Sequence, residues 1–192
     1  MRDSSGAGAM PFGFELVRDE GLDLSSASRV TRRAARAVAE RDGLYLMIRS
    51  EKPGEGDLKF PGGGIEAGET EEEAVARELE EETGYRAARV GPLLGRATEF
   101  RTPKEAGFAL FVMESSYWRV ELAAEPGERR LDPYEEELDY RPRWVRLDEA
   151  IAANRALMDS PSGARMPWIR RETRVMELLL AADLGGATAG SA

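Results

Sequence analysis

The sequence predicts an α/β fold, an α/β/α sandwich around a mixed sheet. Three observations carry this expectation. Strand-like segments alternate with helix-like ones through most of the chain. Their connections combine tight antiparallel turns with at least one crossover. Hydrophobic residues are 42% and charged residues 33% of the 192 positions, a balance that suits one soluble domain with a real core.

Residues 1–27 are rich in Gly, Ser and Ala and weakly periodic, and are expected to form a flexible arm. Residues 28–184 are expected to form the folded domain, and residues 185–192 a disordered tail. Within the domain, Val30 to Val38 and Leu44 to Ile48 read as strands around an Arg-Asp-Gly turn at 41–43. A Gly/Pro loop follows from Lys52 to Gly64. Thr70 to Thr83 reads as a helix: Thr70 and Glu73 have the spacing of a capping box, and Gly84 suits the C-terminal cap. Arg89–Ala97, Phe108–Leu122 and Arg143–Leu147 read as strands, and Asp148–Leu157 and Pro167–Leu184 as helices. There is no internal repeat.

Composition excludes several chemistries. With no cysteine, the chain has no disulfide, thiolate metal site or thiol nucleophile, which fits a reducing, cytoplasmic setting. With no histidine, zinc sites of the usual kind and His-based triads are excluded, so acid–base work falls to Asp, Glu, Lys, Tyr or metal-bound water. No apolar run approaches the roughly 20 residues needed to span a bilayer, so no membrane partner is expected. The formal charge of −9 disfavours a grip on long nucleic acid. An acidic protein still acts on anions when a cation bridges the two.

The informative stretch is GGGIEAGETEEEAVARELEEETGY, residues 62–85. Glu78, Glu81 and Glu82 stand at i, i+3 and i+4, which on a helix gathers three carboxylates onto one face. They repel one another, and a divalent cation would reverse the sign of that interaction. Hard oxygen ligands suit Mg²⁺, Ca²⁺ or Mn²⁺. Val75 and Leu79 lie one turn apart and can face the core. Upstream, Pro61-Gly62-Gly63-Gly64 lets backbone approach a ligand closely. Taken alone, an acidic helix is usually a solvated face.

The whole spacing is more specific. Gly63, Glu69 and the run Arg77-Glu78-Leu79-Glu80-Glu81-Glu82-Thr83-Gly84-Tyr85 resemble the Nudix box at every defined position. At average residue usage, a chance match in a given window is on the order of 10⁻⁹. Lys59 to Glu66 and Arg143 to Ala150 flank the box with similar text, and the resemblance covers residues 30–182. It implies a Nudix-type α/β/α sandwich and a divalent-metal-dependent hydrolase using Mg²⁺, with Mn²⁺ as an alternative. The substrate implied is a small nucleotide with a phosphoanhydride bond: ADP-ribose, a dinucleoside polyphosphate, a sugar nucleotide or a nucleoside triphosphate. A homodimer is compatible with the family.

By the same resemblance, Glu78, Glu81, Glu82 and the carbonyl near Gly63 would bind metal, and Arg77 would pair with Glu69 to hold the loop on the helix. Glu78 is the first choice of base, with Glu135, Glu136 and Glu137 as alternatives from a later acidic run whose other reading is a solvated loop. Arg49, Lys59, Arg101 and Lys104 are candidates for phosphate binding, though each taken singly reads first as a surface charge. Phe100, Tyr117 and Trp118 read first as core. Isoprenoid diphosphate isomerisation is disfavoured by the absence of cysteine, and RNA decapping by the net charge. The reading of a different class is a catalytically idle Nudix domain that senses nucleotides or binds proteins; such modules are expected to lose box residues, and here the box is intact.

Overall fold

A computed structural model describes residues 12–52, 55–163, 166 and 168–189, and the described residues form nine strands and four helices. The strands are β1 (Phe12–Val17), β2 (Arg29–Val38), β3 (Glu40–Arg41), β4 (Leu44–Ser50), β5 (Leu58–Lys59), β6 (Gly62–Gly64), β7 (Ala87–Arg101), β8 (Leu110–Leu122) and β9 (Tyr140–Val145). The helices are α1 (Glu71–Thr83), α2 (Pro133–Glu137), α3 (Leu147–Met158) and α4 (Ile169–Ala189). One mixed sheet runs β1-β7-β8-β2-β6; β1 is parallel to β7, and β2 to β8. In a smaller antiparallel sheet β4 pairs with β3, β5 and β9.

Period-two alternation along the strands sends neighbouring side chains to opposite layers. On one side Ala35, Ala37, Leu46 and Val120 pack against Ala74, Val75 and Leu79 of α1. On the other, Val38, Met47, Phe60 and Tyr117 pack against Ile151 of α3 and Val175, Met176 and Leu179 of α4. The expected α/β/α layering with a mixed sheet is therefore present. Helix α1 starts on a complete capping box between Thr70 and Glu73 and stops at Gly84, which is left-handed at φ 79°.

Several boundaries differ from expectation. The expected arm contains β1, because Phe12, Phe14 and Leu16 alternate and turn inward; its Gly-rich surroundings hid that period. Residues 1–11 lie outside the described part. Val30–Val38 and Leu44–Ile48 do not pair with each other. The Asp42-Gly43 turn, with φ 54° and 76°, joins only the short β3 to β4, while β2 leaves for the other sheet. The strand expected at Arg143–Leu147 starts earlier, at Tyr140, and Leu147 already belongs to α3. The acidic run at 135–137 is helical, in α2. Pro167, expected to open the last helix, lies outside the described residues. That helix continues beyond the Leu184 boundary to Ala189, so the first residues of the expected tail are helical.

Candidate active site

The box loop and α1 are held together by charge and by the absence of side chains. Arg77 is the hub. Its Nε and Nη2 donate to the two oxygens of Glu69 at 2.8 and 3.0 Å, and Nη2 also reaches the Gly64 carbonyl at 2.9 Å. Its Nη1 donates to Glu78 at 2.7 Å and Glu81 at 3.2 Å. One planar fork thus spans loop, strand and helix. A Cβ at Gly63 would stand 2.5 Å from the Glu78 carboxylate, so that close approach requires glycine.

Glu82 is fully buried. Its Oε2 accepts the Gly62 N–H at 2.7 Å, while its Oε1 has no hydrogen-bond partner and meets only the Lys59 ammonium, at 3.5 Å. Burial pushes its pKa up to about 7 against the opposing pull of Lys59. Glu78 is also raised, by burial first, with Glu135 and Glu81 adding to the effect against Arg77. The charge of Glu135, on α2, raises both carboxylates. Glu136 is exposed, and Glu137 pairs with Lys52 at 3.2 Å. Among the described residues, no three acidic side chains converge closely enough to form a ready-made metal cage. Arg77 stands between Glu78 and Glu81, and Lys59 beside Glu82. The donor set nonetheless suits a hard cation: carboxylate oxygens, one of them buried and orphaned, beside a glycine backbone.

A cavity of about 250 Å³ opens beside Lys59. Lys59, Arg101 and Lys104 line it, as does Arg32, while Arg36 and Arg171 lie deeper. Arg49 does not; it sits beside Gly56 and pairs with Glu51 at 3.8 Å. The cavity's aromatic surface comes from Phe111, Tyr140 and Trp168. Phe100 and Tyr117 are core, and Trp118 packs half-buried on the α1 layer.

Sequence reasoning missed Arg32, Arg36, Arg171, Tyr140 and Trp168. Arg32 and Arg36 lie an even number of residues apart and so share a face of β2, which was the one available signal. Arg36 Nη1 donates to the Gly62 carbonyl at 2.6 Å and so anchors the box loop from behind. Its Nε lies 3.5 Å from Glu172, which also accepts from Tyr117 Oη at 2.9 Å and Arg171 at 3.4 Å. Trp168 Nε1 donates to buried Asp57 at 2.7 Å, which fixes the indole at the cavity wall.

Fold and site together describe an α/β/α protein whose carboxylate-rich helix adjoins a cationic, aromatic cavity. The NUDIX domain model matches residues 30–169, and the chain belongs to that family. It is 46% identical over 63 residues to an ADP-ribose pyrophosphatase of Methanocaldococcus jannaschii, covering 32% of this chain and 37% of that one. It is 34% identical over 114 residues to an RNA pyrophosphohydrolase of Halorhodospira halophila, covering 56% of this chain and 62% of that one. The chain thus spans less than two thirds of the length of these curated relatives. A NUDIX hydrolase from Nitrosomonas europaea shares the fold, with a TM-score of 0.53 and 24% identity over 80% of this chain and 90% of that one. Among the described residues, no helix is long and apolar enough to cross a membrane.

Proposed function

We propose that this chain is a divalent-cation-dependent hydrolase that cuts a phosphoanhydride bond in a small nucleotide. The observation that carries the reading is the adjacency made by Lys59, whose ammonium faces the orphaned oxygen of Glu82 and lines the cationic cavity. The cavity, about 250 Å³, lies just below the ~300 Å³ at which ligand sites usually start, a size for a small ligand and not for a long strand. The names of the relatives, an ADP-ribose pyrophosphatase and RNA pyrophosphohydrolases, share cleavage of a pyrophosphate linkage.

Glu78, Glu81, Glu82 and the Gly63 carbonyl would hold the cation, Mg²⁺ or Mn²⁺. When bound, such an ion neutralises phosphate charge and acidifies water. Arg77 keeps Glu69, Glu78 and Glu81 in register. Lys59 guides the diphosphate from cavity to box, and the cavity cations hold its other oxygens. For the proton acceptor we favour Glu135 over Glu78, because Glu78 is already bound by Arg77 and assigned to the cation, whereas Glu135 approaches from the opposite element. ADP-ribose, dinucleoside polyphosphates, nucleoside triphosphates and sugar nucleotides form the test panel. Products should appear with Mg²⁺ or Mn²⁺ and cease with EDTA. A panel without turnover under either ion would overturn the reading in favour of an idle, nucleotide-binding domain.

A further inference from the structure

The cations of the cavity fall into two sets. The inner ones are compensated: Lys59 faces Glu82 at 3.5 Å, Arg36 faces Glu172 at 3.5 Å, and Arg171 reaches Glu99 at 3.1 Å. The outer ones, Arg32, Arg101 and Lys104, make no ion pair among the described residues. Glu99, Glu105 and Asp19 act on Arg101 only at longer range, and three cations with no carboxylate at ion-pair distance at one end of one cavity are a local surplus in a chain with a formal charge of −9.

Strand register places that surplus. On β2, Arg36 stands opposite Gly62 of the box loop. Arg32 lies on the same face, four residues away, or about 13 Å at the usual strand rise. Arg32 is level with Met113 of β8, which is level with Glu99 of β7; one step further on that face, Phe111 is level with Arg101. The Arg101 guanidinium lies 3.5 Å over the Phe111 ring, and its Nη1 donates only to the Thr102 carbonyl, at 3.1 Å. Burial holds its pKa below the usual guanidinium value, with Arg18 adding to the effect against Glu99, Glu105 and Asp19. A guanidinium stacked on a ring keeps its in-plane donors available for an anion.

We propose that Arg32, Arg101 and Lys104 form a second phosphate site, which takes a phosphate on the nucleoside portion of the substrate about 13 Å from the box end of the cavity. This rests on the functional reading above. A planar fork and a compact ammonium are the groups that recognise phosphate oxygens. Two chemistries present such an anion: a phosphomonoester on the ribose, or the phosphodiester leading to a following nucleotide. A compound without either would leave the three cations without a phosphate partner.

The test is calorimetric binding to the full chain in EDTA, where turnover plays no part. The probes are AMP, adenosine 2′,5′-bisphosphate, adenosine 3′,5′-bisphosphate and the dinucleotide pApA. At least one of the last three should bind tenfold or more tightly than AMP, about 1.4 kcal/mol. That ratio should fall towards one in Arg32→Ala and in Arg101→Ala, with Lys104→Ala as a third, independent variant and melting curves to verify folding. A preference for a bisphosphate assigns the ribose monoester; a preference for pApA assigns the diester. Equal affinity for all four probes, no binding of any, or a ratio that survives in all three variants overturns the proposal. Failure of hydrolysis on the substrate panel would remove the functional reading and leave this measurement standing.

Discussion

At the scale of single residues, Glu82 and Glu80 lie two positions apart on one helix and differ in every physical respect. Glu82 is buried, accepts one backbone N–H and leaves an oxygen orphaned. Glu80 is partly exposed and accepts from Arg86 at 3.1 Å. Gln at either position keeps the volume and removes the charge. Glu82→Gln should lower turnover at least a hundredfold, roughly 2.7 kcal/mol of barrier, with partial recovery at higher metal concentration. Glu80→Gln should stay within the ~0.5 kcal/mol typical of surface changes. Equal losses in steady-state rate would mean that the helix acts through bulk charge alone. The positions of these carboxylates were legible because a helix converts i, i+3 and i+4 spacing into one face. Lys59 and Glu135 were named as candidates, but their adjacency to the box helix was not legible: they arrive from β5 and α2, and no spacing in the sequence sets them beside Glu82.

At the scale of elements, β6 and α1 meet through two glycines with different tasks. A Cβ at Gly62 would fall 2.2 Å from the Ala35 carbonyl, at φ 140°, so backbone must move. At Gly63 it would strike the end of the Glu78 side chain, which can swing away. Gly62→Ala should therefore lower the melting temperature sharply. Gly63→Ala should cost little stability yet reduce turnover by displacing Glu78. Thermal melts and kcat on both variants check this, and similar melting losses would contradict the assignment. The sequence made α1 readable to within a residue because Thr70, Glu73 and Gly84 are chemical punctuation. It misread β1 because composition was allowed to outweigh alternation. It misread the partners of β2 because a parallel neighbour such as β8 leaves no turn between them to read.

At the scale of the whole molecule, a buried charged network ties the box loop to the far helical layer. Glu172 of α4 is fully buried and receives Phe60 N–H at 3.3 Å, Tyr117 Oη at 2.9 Å and the charges of Arg36 and Arg171. Burial alone would raise its pKa, but the charges of Arg36 and Arg171 and the hydrogen bonds from Tyr117 and Phe60 together hold the carboxyl below its ordinary value of 4.5. A depressed carboxyl contributes stability above the unfolded value, and that contribution is lost as pH falls through 4.5 and on through the folded value. Glu172→Gln should accordingly cost about 3–5 kcal/mol near neutrality, the usual result of orphaning buried cations. The deficit should shrink as pH drops below 4.5, read as denaturant midpoints across pH; a deficit constant with pH would show that the carboxylate charge is not what matters. None of this was visible from the sequence, because Arg36, Tyr117 and Glu172 belong to three distant segments. A related tie has a consequence in time. The carboxamide of Asn154 on α3 accepts the Leu58 N–H and donates to the Leu58 carbonyl, each at 2.9 Å, so a side chain serves as the missing neighbour of β5. In deuterated water the Leu58 amide should exchange in step with the interior amides of α3, and Asn154→Ala should release it alone. Its isotope clock would then report the lifting of a helix, although the proton itself belongs to a strand.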